Sequence, residues 1–172
     1  MILPGHIAAP VLCHRYARAN LPVALVAGLL PDVVDKALYY GTALTPSSRL
    51  PMHTLWGWLG TTLLVVLIGL AVSRAAVWGY AWFLSYGVHL LCDSGLVGDD
   101  LPLLYPLVEY DLTSAPFPLA YLFDPSTWPW TKLVAEALLV GITVYLEWRR
   151  RSSRAPRPSR PLVGSALSEG DR

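Results

Sequence analysis

The sequence predicts an all-α protein, a polytopic α-helical membrane bundle with three to four transmembrane helices, on three observations. Of its 172 residues 54% are hydrophobic and only 15% charged, with a mean hydropathy of +0.45, too apolar for an ordinary soluble domain. Several long apolar runs are free of charge. The basic residues gather in one tail, "EWRRRSSRAPRPSR".

The N-terminal "MILPGHIAAPVLCHRYARAN" lacks a basic segment before its short apolar stretch, so it reads as part of the mature protein, not as a signal peptide. In "LPVALVAGLLPDVVDKALYY" only residues 21–31 are uncharged. Pro31 is expected to kink or end a helix there, which leaves two alternatives open, a segment that enters the membrane partway and a span broken by the acidic turn. Residues 54–72, "TLWGWLGTTLLVVLIGLAV", match the about 20 apolar residues that cross a bilayer core. Residues 77–92, "VWGYAWFLSYGVHLLC", are uncharged up to His89 and rich in aromatics, and the short connector makes the two runs an antiparallel hairpin. A last span covers residues 132–148, with Glu136 and Glu147 near its ends and Trp128, Trp130 and Trp148 as interfacial residues.

Residues 1–151 thus form a membrane-embedded domain, and residues 152–172, rich in Pro, Ser and Arg, a disordered basic C-terminal tail. Arg149, Arg150, Arg151, Arg154, Arg157 and Arg160 follow the last span and place the C-terminus in the cytoplasm by the positive-inside rule. Arg74 in the hairpin connector agrees. The net charge of +1 argues against direct nucleic-acid binding, and no helix-turn-helix or basic recognition face is present. Cys13 and Cys92 have no CxxC spacing and read as small buried hydrophobes.

Chemistry is suggested where apolar runs end. In "GVHLLCDSG" His89 and Asp93 are at i and i+4, on one helical face, a spacing that suits two ligands of one zinc ion. The pair alone fits a hydrogen-bonded cap equally well. Asp32 and Asp35 in "LLPDVVDK" read either as an N-terminal acidic cluster, with Lys36 paired to Asp32, or as carboxylates whose burial needs a balancing cation. His53 opens the second segment and His6 lies in "LPGHIAAP", each unremarkable alone. His14, beside Arg15, reads as solvated. The hairpin brings His53, His89 and Asp93 to one membrane face, extracytoplasmic by the arginine rule. The connection after Ser94 lies above it as a rim or lid.

In this order, the "GHI" around His6, the "LLPDVVDK", the Arg49-to-His53 "RLPMHT" and the "HLLCDSG" running on to "LLYPL" resemble the YdjM-like family, inner-membrane-associated proteins described as metal-dependent hydrolases and as LexA-binding. That family is similar in turn to the zinc-dependent phospholipase C and nuclease fold, an all-α bundle with a metal cluster at one end. The resemblance implies a bacterial inner-membrane location and a metal shell of Asp32 or Asp35, His53, His89 and Asp93, with His6 as a further ligand. The family's "HR" has become Ser48-Arg49, Met52 stands for its usual Thr, and no histidine follows His89.

The function expected is a membrane-bound hydrolase in which a divalent metal, zinc first, activates water against an ester or phosphoester, with lipid as a natural candidate for the substrate. Asp32 and Asp35 are the candidate catalytic acids, and Arg49 would orient an anionic group. The competing expectation is a nonenzymatic membrane scaffold or transporter-like protein with a structural metal or ion site. A conduit needs ionisable residues strung across the bilayer, and residues 54–72 have none.

Overall fold

The computed structural model describes residues 3–94, 101–112 and 130–154. Among the described residues there are five α-helices: α1 (Leu3–Ala17), α2 (Leu21–Lys36), α3 (Leu55–Ala71), α4 (Ala75–Asp93) and α5 (Trp130–Arg154). A π-helical segment, Ala37–Thr42, continues α2, and no strand occurs among the described residues.

Short connectors set the topology. Between α1 and α2 the chain turns through Arg18, whose φ is 56°, and Asn20 caps α2 by accepting the Val23 N–H at 3.3 Å. Between α3 and α4 the turn closes with the Arg74 N–H donating to the Gly69 carbonyl at 2.7 Å. The helices pack α3 on α4, α4 on α2, α2 on α1, and α1 on both α4 and α5. Small residues allow this closeness. Ala24, Ala27 and Ala81 are fully buried, and the Ser85 hydroxyl donates to the Ala24 carbonyl at 2.7 Å across the α2–α4 contact. At Gly28 an added Cβ would lie 2.5 Å from Pro10 Cγ and 3.2 Å from the His6 carbonyl, so α1 and α2 cross with almost no gap. The larger core residues are Trp82, Tyr86, Leu90 and Leu101.

Three expectations change. Pro31 does not end the first apolar segment: α2 runs through it to Lys36, and Pro31 is buried. Its ring holds a helical φ and removes one backbone bond. Asp32 and Asp35 therefore sit late in a helix, without the dipole support of an N-terminal cluster. Residues 3–17, for which no helix was expected, form α1, with Pro4 in the first turn and Pro10 in its middle. Residues 152–154 continue α5, so that part of the expected tail is helical, and the rest of it lies outside the described residues.

The expected spans fall on α3, α4 and α5, but no helix among the described residues is long and apolar enough to cross a membrane. The 17 residues of α3 extend about 25 Å, short of the about 30 Å hydrocarbon core. Instead α3 exposes a stripe of Trp56, Leu59, Leu63, Leu67 and Leu70, spaced by three and four residues along one face. Part of the expected lid is described: Leu101 and Pro102 are buried, and the Leu55 N–H donates to the Leu103 carbonyl at 2.8 Å, docking this segment on the start of α3. Its remainder and Trp128 lie outside the described residues.

Candidate metal centre

The site forms where the late turns of α2, the last turns of α4 and the residues before α3 meet. Its keystone is Asp35, fully buried. One oxygen accepts the Met52 N–H at 2.8 Å; the other accepts the His53 N–H at 3.1 Å and faces His53 Nδ1 at 2.7 Å. The loop before α3 is thereby pinned to α2. From α4, the Tyr86 hydroxyl donates to the Met52 carbonyl at 2.6 Å. Thr54 caps α3, accepting the Gly57 N–H at 3.1 Å while its hydroxyl donates to the Pro51 carbonyl at 2.8 Å. The His53 ring is thus held at Nδ1 by Asp35 in a loop tied to α2 and α4, and it is fully buried.

Four side chains converge: Asp32, His53, His89 and Asp93 each place one donor atom within 4.8 Å of the others. His53 Nε2 is 3.1 Å from His89 Nε2, 3.4 Å from Asp93 Oδ2 and 3.8 Å from Asp32 Oδ1, and His89 Nε2 is 3.9 Å from Asp93 Oδ2. Donors about 2.0–2.2 Å from a tetrahedral ion stand about 3.3–3.6 Å from one another, so these separations suit a single ion.

Hydrogen bonding assigns the protons. A carboxylate only accepts, so His53 Nδ1 carries the hydrogen shared with Asp35 and, in the neutral ring, Nε2 is bare. His6 Nε2 faces Asp32 Oδ2 at 2.7 Å and donates to it, which in the neutral ring leaves His6 Nδ1 an acceptor. His89 Nδ1, 3.0 Å away, must then donate, and His89 Nε2 is bare as well. Two bare nitrogens facing each other at 3.1 Å repel unless a proton or a metal ion lies between them, and the two carboxylates beside them call for the same positive charge.

The electrostatics agree. Burial works to raise the Asp32 carboxyl, but the hydrogen bond from His6 and the charge of Lys36 outweigh it and hold the group below the usual carboxylate range. Asp93 is likewise lowered, its desolvation outweighed by His53. His53 moves upward: burial opposes its charge, but Asp35, Asp93 and Asp32 favour it more. Lys36 also pairs with Asp32.

The structure therefore brings together Asp32, His53, His89 and Asp93, with His6 behind Asp32 and His89. It sets Asp35 behind His53, both its oxygens engaged by that loop, as the outer partner of a carboxylate–histidine pair. Arg49 is half-buried in the same loop, its backbone N–H donating to Ser47 Oγ at 3.3 Å. His14 is exposed and bonds the Ala19 carbonyl at 2.7 Å, and Cys13 and Cys92 are free thiols. The sequence reading missed Tyr86, although a phenol three residues before His89 in an apolar run shares its face.

Neither the curated proteins nor the solved structures contain a significant match to the chain. The family model of the YdjM inner membrane protein matches residues 2–156, a stretch that includes every residue of this centre, and the chain belongs to that family.

Proposed function

We propose that the protein is a membrane-associated, metal-dependent hydrolase of ester or phosphoester bonds, with one divalent ion held by Asp32, His53, His89 and Asp93. The observation that carries this reading is the convergence of two imidazole nitrogens 3.1 Å apart and two carboxylates in one buried site. A donor set of two imidazoles and two carboxylates suits zinc. A bound divalent ion supplies Lewis acidity and brings the pKa of a water toward about 7.

The chain's own residues divide the remaining work. Asp32 is 17% exposed against 0% for His53 and 4% for Asp93, so it is the member an incoming substrate meets. Asp35 orients His53. Arg49, four residues before His53, is assigned the anionic part of the substrate. The family name and the apolar stripe of α3 support a bacterial inner-membrane location. A site at the end of an embedded hairpin lies near headgroup depth, which favours a lipid ester or phosphoester; the arginines at the C-terminal end of α5 favour that face lying outside the cytoplasm.

One observation favours a second reading. Four protein donors complete a tetrahedral set, the pattern of structural zinc sites, whereas catalytic sites keep a position open. A scaffold with a structural metal would follow.

The test is the metal content of detergent-purified protein after a mild chelator wash, for wild type and for His89→Ala/Asp93→Ala, followed by a screen of ester and phosphoester substrates. Retained zinc, absent from a folded double variant, together with zinc-dependent hydrolysis, supports the enzyme. Retained zinc without hydrolysis moves the conclusion to the scaffold, and an ion-free wild type that takes up no metal removes both.

A further inference from the structure

We infer that His6 is a positioning residue, one that sets the ring orientation and tautomer of His89 and holds Asp32 in place without itself touching the ion. The inference rests on the metal reading above and assigns a role that the ligand geometry leaves open, since resemblance alone would make His6 a further ligand.

Both His6 nitrogens are already directed at other groups. Nε2 lies 2.7 Å from Asp32 Oδ2 and Nδ1 lies 3.0 Å from His89 Nδ1, the nitrogen on the far side of the His89 ring from the four-donor cluster. His6 is 3% exposed, and its ring stands 4.6 Å from that of His89 with the planes tilted by 31°. Because a carboxylate cannot donate, the Asp32 contact fixes the proton on His6 Nε2. In the neutral ring that leaves Nδ1 as the acceptor for His89 Nδ1–H, and His89 Nε2 is presented without a proton to the ion. The same ring holds Asp32 by Oδ2, so that Oδ1 is the oxygen turned toward His53.

One side chain on α1 therefore orients two ligands on two other helices. The arrangement depends on the close crossing at Gly28, one helical turn before Asp32. It parallels the Asp35–His53 pair on the opposite side, with the difference that a neutral histidine can both donate and accept. Outer partners of this kind commonly contribute 10- to 100-fold in metal affinity.

Cobalt(II), a spectroscopic stand-in for zinc, tests the assignment in detergent-purified full-length protein. Wild type, His6→Phe and His6→Gln are titrated with cobalt, and zinc affinity is read by competition. Phe keeps a ring and removes both nitrogens; Gln restores one donor and one acceptor at similar reach. The expected result is that His6→Phe weakens binding by about 10- to 100-fold, that its visible spectrum at saturation keeps the wild-type shape and intensity, and that His6→Gln recovers most of the affinity.

Wild-type affinity in His6→Phe overturns the inference. So does a saturated spectrum altered in the manner of a lost ligand, which would make His6 part of the coordination shell. If His6→Phe does not fold, His6→Gln decides: more than 100-fold weaker binding in the folded Gln protein counts against it. Failure of wild type itself to bind cobalt or zinc is a separate result and sinks the metal reading beneath it.

Discussion

His53 Nε2 faces His89 Nε2 at 3.1 Å in a site where both rings are almost entirely shut off from solvent. Each neutral ring has its proton committed on the opposite edge, so an ion-free centre either holds two lone pairs against each other or takes up a proton on His53. Metal binding is therefore expected to stabilise the fold itself. At a free ion concentration 100 times the dissociation constant the stabilisation is about 2.7 kcal/mol, equivalent to about 5–10 °C in Tm for a chain of this size. Calorimetry with and without chelator, followed by zinc re-addition, checks it; a Tm indifferent to both treatments would count against an ion at this position.

Asp35→Asn is expected to weaken zinc binding by about 10- to 100-fold and to cost about 1–3 kcal/mol of stability. The carboxylate gathers the backbone N–H groups of Met52 and His53 and the ring of His53. An amide cannot accept on both sides, so one of these donors is left facing another donor. Zinc competition titration and urea unfolding measure the two effects. A variant with full stability and reduced affinity would confine Asp35 to ring orientation, and one unchanged in both would remove it from the site.

Acidity should act on the two forms in opposite directions. In the ion-free protein burial pushes His53 down, but its hydrogen bonds to Asp35 and Asp93 and the charge of Asp32 leave it above its ordinary 6.5. Such a group adds stability that is fully present below the unfolded pKa and is lost as pH rises through the folded one. Metal binding needs the neutral ring, so its contribution grows as pH rises. Asp32 and Asp93, held below the usual range, are ionised throughout and add no slope near neutrality. The gap in Tm between zinc-loaded and ion-free protein should widen from pH 6 to pH 8; a gap that narrows would mean that His53 is not a ligand.

Much of this centre was legible in the sequence because helical spacing alone puts His89 and Asp93 on one face, and an antiparallel hairpin alone brings His53 beside them. What spacing could not do was separate Asp32 from Asp35. Both lie on adjoining parts of the same turn, and only the path of residues 50–54, which returns across α2 to offer two N–H groups and an imidazole, makes Asp35 the outer partner. α1 was hidden for a different reason: Pro4, Gly5 and Pro10 are poor helix residues, and it is packing against α2 through Gly28 that outweighs their propensity. The spans were read from hydropathy, and hydropathy does find α3 and α4, but it counts flanking residues such as Thr54 and Val72 that cap the helix without belonging to it.

Gly28→Ala tests the crossing on which the position of His6 depends. The new methyl would meet Pro10 Cγ at 2.5 Å and the His6 carbonyl at 3.2 Å, and a proline ring and a backbone atom yield little. Overpacking of this kind costs about 1–3 kcal/mol, or about 2–4 °C of Tm per kcal/mol. Because relief requires α1 to move away, the expected signature includes weaker zinc binding although Gly28 touches no ligand. A destabilised variant with wild-type zinc affinity would show that His6 follows α2 independently of the crossing.

The outer stripe of α3 bears on the membrane. Trp56, Leu59, Leu63, Leu67 and Leu70 are all exposed at positions that share a face, and the opposite side of the helix packs on α4, with the Trp82 indole N–H donating to the Thr61 hydroxyl at 3.1 Å. An apolar patch of this length in contact with water would drive self-association, whereas against lipid it is the favourable surface. Leu63→Asp/Leu67→Asp adds two charges at the centre of the helix, each costing about 2.5–3.5 kcal/mol in a bilayer, and leaves the metal residues untouched. Wild type is expected to resist alkaline carbonate extraction from membranes, and the double variant to be released while keeping wild-type zinc affinity in detergent. Retention of the double variant in the carbonate-washed membrane would show that this face does not meet lipid.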